Sequence, residues 1–382
     1  MDIKEWRRLA IQSVMILLVV FACCICFQEK IRQPQESVVH AGALEEKLPE
    51  ETAYATPEPV EELVQYATKA DVESRSSTYV RIPKAEAATA SAVYIKSDYM
   101  DSTIQATFED VPSGSITEQS VLRIKGYQVE KGKLKGKKKD PLLKELSILD
   151  EKNENVKKNS IRIRFKTKRV YEPKLYEAED AWYISLLEPR KAFKQIVVVD
   201  AGHGGMDEGT HSGDGKYFEK ECALSVTREI ERILQEQDIK VYYTRTQDEE
   251  ISKPARVKLV NQVKADLFVS IHCNASSVGD QTACGVETLY FGHQVKGMAI
   301  SNKAFAQIML DSLCKVTGQR NRGTIKREDL YILSHSKVPT TIVEIGYMSN
   351  PEDLRFMLRE KGQAQIAKGI CAGILQTLED IG

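Results

Sequence analysis

Hydrophobic and polar positions divide the chain into four stretches of different rhythm. The first, Leu9 to Phe27 (LAIQSVMILLVVFACCICF), is apolar except for Gln12 and Ser13. As a helix rising about 1.5 Å per residue, it is long enough for the ~30 Å hydrocarbon layer of a bilayer. Residues 31–90 have no sustained period and are interrupted by Pro34, Pro49, Pro57, Pro59 and Pro83, which reads as a disordered linker. From 91 to 190 the pattern turns to alternation. AVYIKS (92–97), TIQATFE (103–109), IRIRFK (161–166) and WYISLLEP (182–189) predict half-buried strands, hence a small β-rich domain.

Beyond Arg190, apolar runs alternate with helical periods, the pattern of an α/β domain. IVVVD (196–200), KVYYTR (240–245), DLFVSIH (266–272), GVETLYF (285–291), LYILS (330–334) and TTIVEIG (340–346) predict strands. Helices are predicted over 221–237, from Pro254, over 298–317 and over 361–380. The expected fold is a mostly parallel twisted sheet with helices on both faces. The layout is then a stub and transmembrane anchor (1–30), a linker (31–90), a β-rich accessory domain (91–190) and an α/β domain (191–382).

Charge adds direction to this layout. Lys4, Arg7 and Arg8 precede the apolar stretch, which holds the N-terminus in the cytoplasm and sends the remainder outside. A cleaved signal peptide is the first alternative; a lipoprotein leader ending at Cys23 is the second, although bulky Phe21 fits its cleavage box poorly. Lys+Arg 54 against Asp+Glu 55 gives a net charge of -1, which excludes the electrostatic field of a nucleic-acid binder. That neutrality is a cancellation between glutamates in 31–63 and the lysine run Lys131–Lys139 (KGKLKGKKK). The run reads either as a solvated hairpin tip or as a basic finger for anionic polymers or lipid headgroups. Eight cysteines are too few for a disulfide-built scaffold.

Candidate chemistry gathers at one edge of the predicted sheet. His203 lies in a glycine-rich turn just past the strand at 196–200, and His272 ends the strand at 266–272. Ligands bind at the carboxyl ends of strands in open α/β sheets. Glu344 ends the run TIVE, and Glu219 or Glu221 opens the first helix, so carboxylates reach the same edge. Two histidines and one carboxylate make a three-ligand zinc set with an open position for water. A further carboxylate can move that water's proton, which is a kit for amide hydrolysis. The remaining histidines, His40, His211, His293 and His335, fall in the linker or in loops and read as surface residues.

Six blocks then resemble one family. VVVDAGHGGMDEGT (197–210), FEKECALSV (218–226), VYYTRTQD (241–248), ADLFVSIHCNAS (265–276), GVETLYF (285–291) and VPTTIVEIGYMSNPED (338–353) are similar to the zinc-dependent N-acetylmuramoyl-L-alanine amidases that cleave bacterial peptidoglycan. The resemblance implies one Zn2+ held by His203, Glu219 and His272, with Glu344 catalytic, and selects Glu219 over Glu221. It also implies peptidoglycan as substrate; together with the apolar stretch 9–27 and its flanking charges, the expectation is a single-pass bacterial membrane protein with its C-terminal domains on the wall side. Asn274 and Arg322 are candidates for orienting substrate or supporting the ligands. Cys273 stands where the family usually has Ala, and Tyr347 where it usually has Phe. The segment between His272 and Glu344 is filled by predicted elements, which leaves no room for the autoinhibitory helix of some relatives.

Two rival readings remain open on sequence grounds. A cysteine hydrolase would use Cys273 beside His272, but alternation along a strand sends the two side chains to opposite faces. A catalytically silent wall-binding protein would keep the fold without turnover, although all four chemical positions are filled. A Cys273–Cys284 bridge is a further structural alternative.

Overall fold

A computed structural model of the chain describes residues 65–66, 79–84, 90, 92–111, 115–116, 127–130, 133–136, 143–152 and 159–382, apart from 278, 279 and 294. The apolar stretch 9–27, most of the expected linker and His40 lie outside the described residues. Among the described residues, no helix is long and apolar enough to cross a membrane.

The β-rich region contains β1 (Gln65–Tyr66), β2 (Tyr79–Pro83), β3 (Ala92–Asp98), β4 (Thr103–Glu109), β5 (Tyr127–Glu130), β6 (Lys133–Gly136), β7 (Leu143–Lys152), β8 (Asn159–Thr167), β9 (Glu172–Glu177) and β10 (Ala181–Leu187). Strands β3-β4-β8-β7 form one antiparallel sheet and β1-β9-β10-β2 another, in which β1 alone runs parallel to its neighbour. Their inner faces share a core where Ile104, Phe108, Ile161 and Phe165 meet Ile82, Trp182 and Ile184. The alternation seen in the sequence is thus the sandwich core. Strand pairing begins earlier than residue 91, because Val80 and Ile82 turn inward and β2 pairs with β10. The strand is only five residues long and ends on Pro83, so its signal is weak beside the linker's composition. Strands β5 and β6 make a separate hairpin. Lys133–Gly136 of the lysine run is its second strand, and the rest of 131–139 lies outside the described residues.

The α/β half is a six-stranded sheet of β11 (Ile196–Ala201), β12 (Lys240–Tyr243), β13 (Leu267–Asn274), β14 (Val286–Tyr290), β15 (Asn321–Lys326) and β16 (Thr340–Tyr347), in the order β12-β11-β13-β16-β14-β15. Neighbours are parallel except β14 against β16, so the sheet is mixed but mostly parallel. Its helices are α1 (Glu219–Leu234), α2 (Lys253–Val263), α3 (Asn302–Thr317), α4 (Tyr331–His335), α5 (Pro351–Leu358) and α6 (Glu360–Ile381). Val226 of α1, Phe305 of α3 and Ile370 of α6 pack with Val197, Val199, Val269 and Val343 on one face. On the other, Val257 and Val260 of α2 and Ile332 of α4 cover Ile196, Val198 and Phe268. Central strands covered on both sides need continuous apolar runs, which β11 and β13 have.

Three elements depart from the sequence expectation. LYILS at 330–334 was expected to be a strand; the structure has the helical turn α4, with Ile332 and Leu333 buried and the Tyr331 and His335 rings stacked at 3.8 Å one turn apart. A five-residue apolar run fits either state. The sixth strand is instead β15, an exposed edge whose sequence NRGTIK shows no apolar alternation. Helix α5 was absent from the expectation; Asn350 caps it, its side-chain oxygen accepting from Glu352 and Asp353 N–H groups at 3.0 and 3.1 Å. Helix α3, between His272 and Glu344, packs into the core through Phe305 and Met309.

The two halves are joined at strand β12. Glu172 of β9, 3% exposed, accepts from Tyr242 Oη at 2.5 Å, Lys240 Nζ at 3.1 Å and Tyr99 Oη at 3.3 Å. The Lys240 ammonium lies 5.1 Å from the ring centres of Tyr99, Phe193 and Tyr242. Val170, Tyr99 and Met100 of the β-rich region also join the apolar cluster under α2.

Candidate metal and catalytic centre

The turn after β11 is shaped for close approach. His203 has φ +59° and Gly204 φ +125°, a left-handed reversal that glycine accepts and a histidine occupies only when its surroundings hold it. Two buried arginines supply the hold by capping carbonyls the turn leaves unpaired. Arg245 donates to Ala201 O (3.0 Å) and Gly202 O (2.7 Å). Arg256 donates to Ala201 O and His203 O, both at 2.6 Å, and pairs with buried Asp200. Thr244 and Ser270 hydroxyls complete the Asp200 shell at 2.5 Å. Burial would push the Asp200 carboxyl up, but Arg256 and these hydroxyls hold it below the usual carboxylate range.

The turn delivers His203 to Glu219, the first residue of α1, and to His272 of β13. Glu219 Oε1 lies 3.2 Å from His203 Nε2 and 2.7 Å from His272 Nδ1, and the two imidazoles stand edge to face at 4.9 Å. Three donor atoms, one per residue, fall within 4.8 Å of one another. A tetrahedral ion with ligand bonds of about 2.0–2.1 Å places its donors roughly 3.3 Å apart, so this His/Glu/His group fits a small divalent metal. Glu219 also accepts from the N–H groups of Cys273 (3.0 Å) and Thr210 (2.8 Å). Burial opposes its charge, yet the two histidines outweigh it and hold the carboxyl far below its ordinary value. His272 moves the other way: burial disfavours its cation, but Glu219 raises it overall. Space is tight around the cluster. A Cβ on Gly209, at φ +72°, would stand 2.5 Å from Glu219 Oε2 and 2.8 Å from His203 Cδ2.

Glu344 faces the same cavity of about 440 Å3 as His203 and His272. It sits on β16 directly beside His272 on β13. Its Oε2 is buried with no hydrogen-bond partner among the described residues, which is uncommon for a buried polar atom. Burial, aided by Glu219 and Glu287 and opposed by His272 and His203, pushes its carboxyl up to about 7.

Of the four sequence candidates, His203, His272 and Glu344 line the cavity and Glu219 bonds to both histidines, whereas Asn274 and Arg322 do not line it. Both meet Glu287 of β14, which sequence reading missed: Asn274 Nδ2 donates at 2.7 Å and Arg322 Nε at 3.2 Å. Tyr347 Oη adds a third bond at 3.2 Å beneath the Arg322 guanidinium. Asp207 was missed as well; its Oδ1 is 2.8 Å from His203 Nδ1, which turns Nε2 toward Glu219. It lies within the block GHGGMDEGT, four residues from the histidine, and that spacing was the available signal. Cys273 is buried among core side chains with its thiol pushed well up, chiefly by contact with Cys222 and by burial, so it supplies no nucleophile. The described cysteines are all free, and Cys273 and Cys284 are not bridged. His211, His293 and His335 do not join the cluster.

Comparison with known proteins points to one family. A sequence model described as N-acetylmuramoyl-L-alanine amidase matches residues 197–376. A germination-specific N-acetylmuramoyl-L-alanine amidase of Bacillus subtilis is 29% identical over 202 residues, 49% of this chain and 81% of the relative. The uncharacterized protein YqiI of the same organism is 33% identical over 180 residues, 47% of this chain and 83% of its own length. Among solved structures, an N-acetylmuramoyl-L-alanine amidase from Clostridium difficile 630 is 34% identical, covering 49% of this chain and 98% of that one, with a TM-score of 0.46. Through its C-terminal half, the chain belongs to the N-acetylmuramoyl-L-alanine amidase family.

Proposed function

We propose that this peptidoglycan hydrolase cleaves the amide between the lactyl group of N-acetylmuramic acid and the L-alanine of the stem peptide, with His203, Glu219 and His272 holding one zinc ion and Glu344 moving the protons. A cluster of three metal donors, two of which line a cavity together with the unpartnered Glu344 carboxylate, is the observation that carries this reading. Zinc in that set would polarise the scissile carbonyl and make water a stronger acid. Glu344, on the strand beside His272, accepts a proton from the attacking water and returns it to the departing alanine nitrogen. Burial raises this carboxyl above its ordinary value, which favours its taking and returning a proton. Asp207 keeps His203 turned inward, and Arg245 and Arg256 hold the turn that carries it. Asn274 and Arg322 act on Glu287, the cross-strand neighbour of Glu344, rather than on substrate.

In the same reading, residues 9–27 anchor the chain in the bacterial cell membrane and place everything beyond them on the wall side. The β-rich region serves as an accessory module, and Lys131–Lys139 meets anionic wall polymers or lipid headgroups. The test is digestion of purified walls by the full chain. New alanine amino termini should appear without new reducing ends, stop on chelation and return with zinc. Release of reducing ends, or turnover that survives chelation, would overturn the reading.

A further inference from the structure

The cavity holds three cationic side chains: Lys253, Arg256 and Arg327. Arg256 is engaged by Asp200 and the turn carbonyls. Arg327 is placed differently. It directly follows edge strand β15, and its main-chain N–H donates to Tyr290 O at 2.9 Å, so β14 fixes where the side chain begins. The guanidinium forks onto Asp329, with Nε to Oδ1 at 2.8 Å and Nη2 to Oδ2 at 2.7 Å. These two side chains are 41% and 66% exposed, and a pair so exposed contributes little net stability. The fork is thus oriented for a carboxylate but held by a weak one. Asp329 holds the guanidinium above its ordinary value against the slight opposition of burial.

The bond at issue joins an uncharged N-acetyl sugar arm to a peptide. Where the residue after L-alanine is a γ-linked acid, its free α-carboxylate is the nearest anion to the scissile amide. We propose that Arg327 reads the peptide side of the substrate by taking this carboxylate bidentately in place of Asp329. The inference rests on the amidase reading above and adds a specificity determinant to it. Arginine suits the task because its planar fork matches both carboxylate oxygens, which a point-charge ammonium cannot do. Exposed Lys253, first residue of α2, is the competing cation.

The test uses the full chain with two synthetic muramyl dipeptides that differ only in carrying a free carboxylate or its carboxamide on the second residue. A charge-assisted bond of this kind predicts kcat/KM about 10- to 100-fold higher for the free acid. Arg327→Gln should bring the two substrates to near parity, with the loss in KM of the acid and with zinc content equal to wild type. Arg327→Lys should restore part of the preference, and Lys253→Gln should retain it. A preference that survives Arg327→Gln, or that vanishes in Lys253→Gln, overturns the assignment. Wild-type protein that cleaves neither dipeptide nor purified walls overturns the amidase reading, and this inference with it.

Discussion

At the scale of single residues, the centre is organised by which ring nitrogen and which oxygen are already engaged. Asp207 occupies His203 Nδ1, so Asp207→Ala should leave the fold intact and weaken zinc by about 10- to 100-fold, as loss of a ligand's outer partner typically does. Competition with a chromogenic chelator would measure it, and unchanged affinity would remove Asp207 from that role. Glu344 gives a second expectation. In metal-free protein its carboxyl should titrate near 7, losing its proton as pH rises through that value. A nearby cation favours the charged form, so zinc loading should move the titration to lower pH. Carbon-detected NMR of labelled glutamate, with and without chelator, reads both; an ordinary value in the metal-free protein would show that burial is not acting as described. His203, His272 and Glu344 were legible in the sequence because each sits in a short block at or just past a strand end, whereas Glu219 was separated from Glu221 only by the family resemblance. Arg245, Arg256 and Glu287 were not, because their roles depend on carbonyls and side chains that only the folded sheet brings to them.

At the scale of elements, what was legible followed period and length. Strands β11, β13 and β16 are long apolar runs buried on both faces, and α1 keeps its amphipathic face through Val226 and Ile230. The short pieces were misread or missed: α4 is one turn of apolar residues, and β15 is a polar edge held by pairing to β14 rather than by burial. Helix α5 shows how such a piece is fixed. Asn350 caps it, and Asp353 in its first turn accepts from Gly285 and Tyr347 N–H groups at 2.7 and 2.9 Å, tying the helix to the strand that carries Glu344. Asn350→Ala should cost about 1 kcal/mol, visible as a lower urea midpoint at unchanged slope. No shift would mean that the Asp353 contacts alone hold the helix start.

At the scale of the whole molecule, the buried Glu172 ties the β-rich region to strand β12. It carries the only carboxylate bonded to Lys240 among the described residues, so Glu172→Ala would strand a cation among Tyr99, Phe193 and Tyr242. Removing one member of a buried pair typically costs about 3–5 kcal/mol. The wild-type β-rich and α/β regions should melt together, and the variant should melt earlier and in two steps by calorimetry. A single unshifted transition would show the joint to be incidental.

That joint also limits how the catalytic half can be moved to another protein. A cut at residue 190 would bare Tyr242 and the α2 side of the sheet that Val170, Tyr99 and Met100 cover, exchanging a buried seam for an adhesive one. A transplanted enzyme would have to bring β9 and the β3–β4 turn with it, or carry new polar residues along the seam. The practical unit of exchange in this chain therefore begins before the sandwich, not after it.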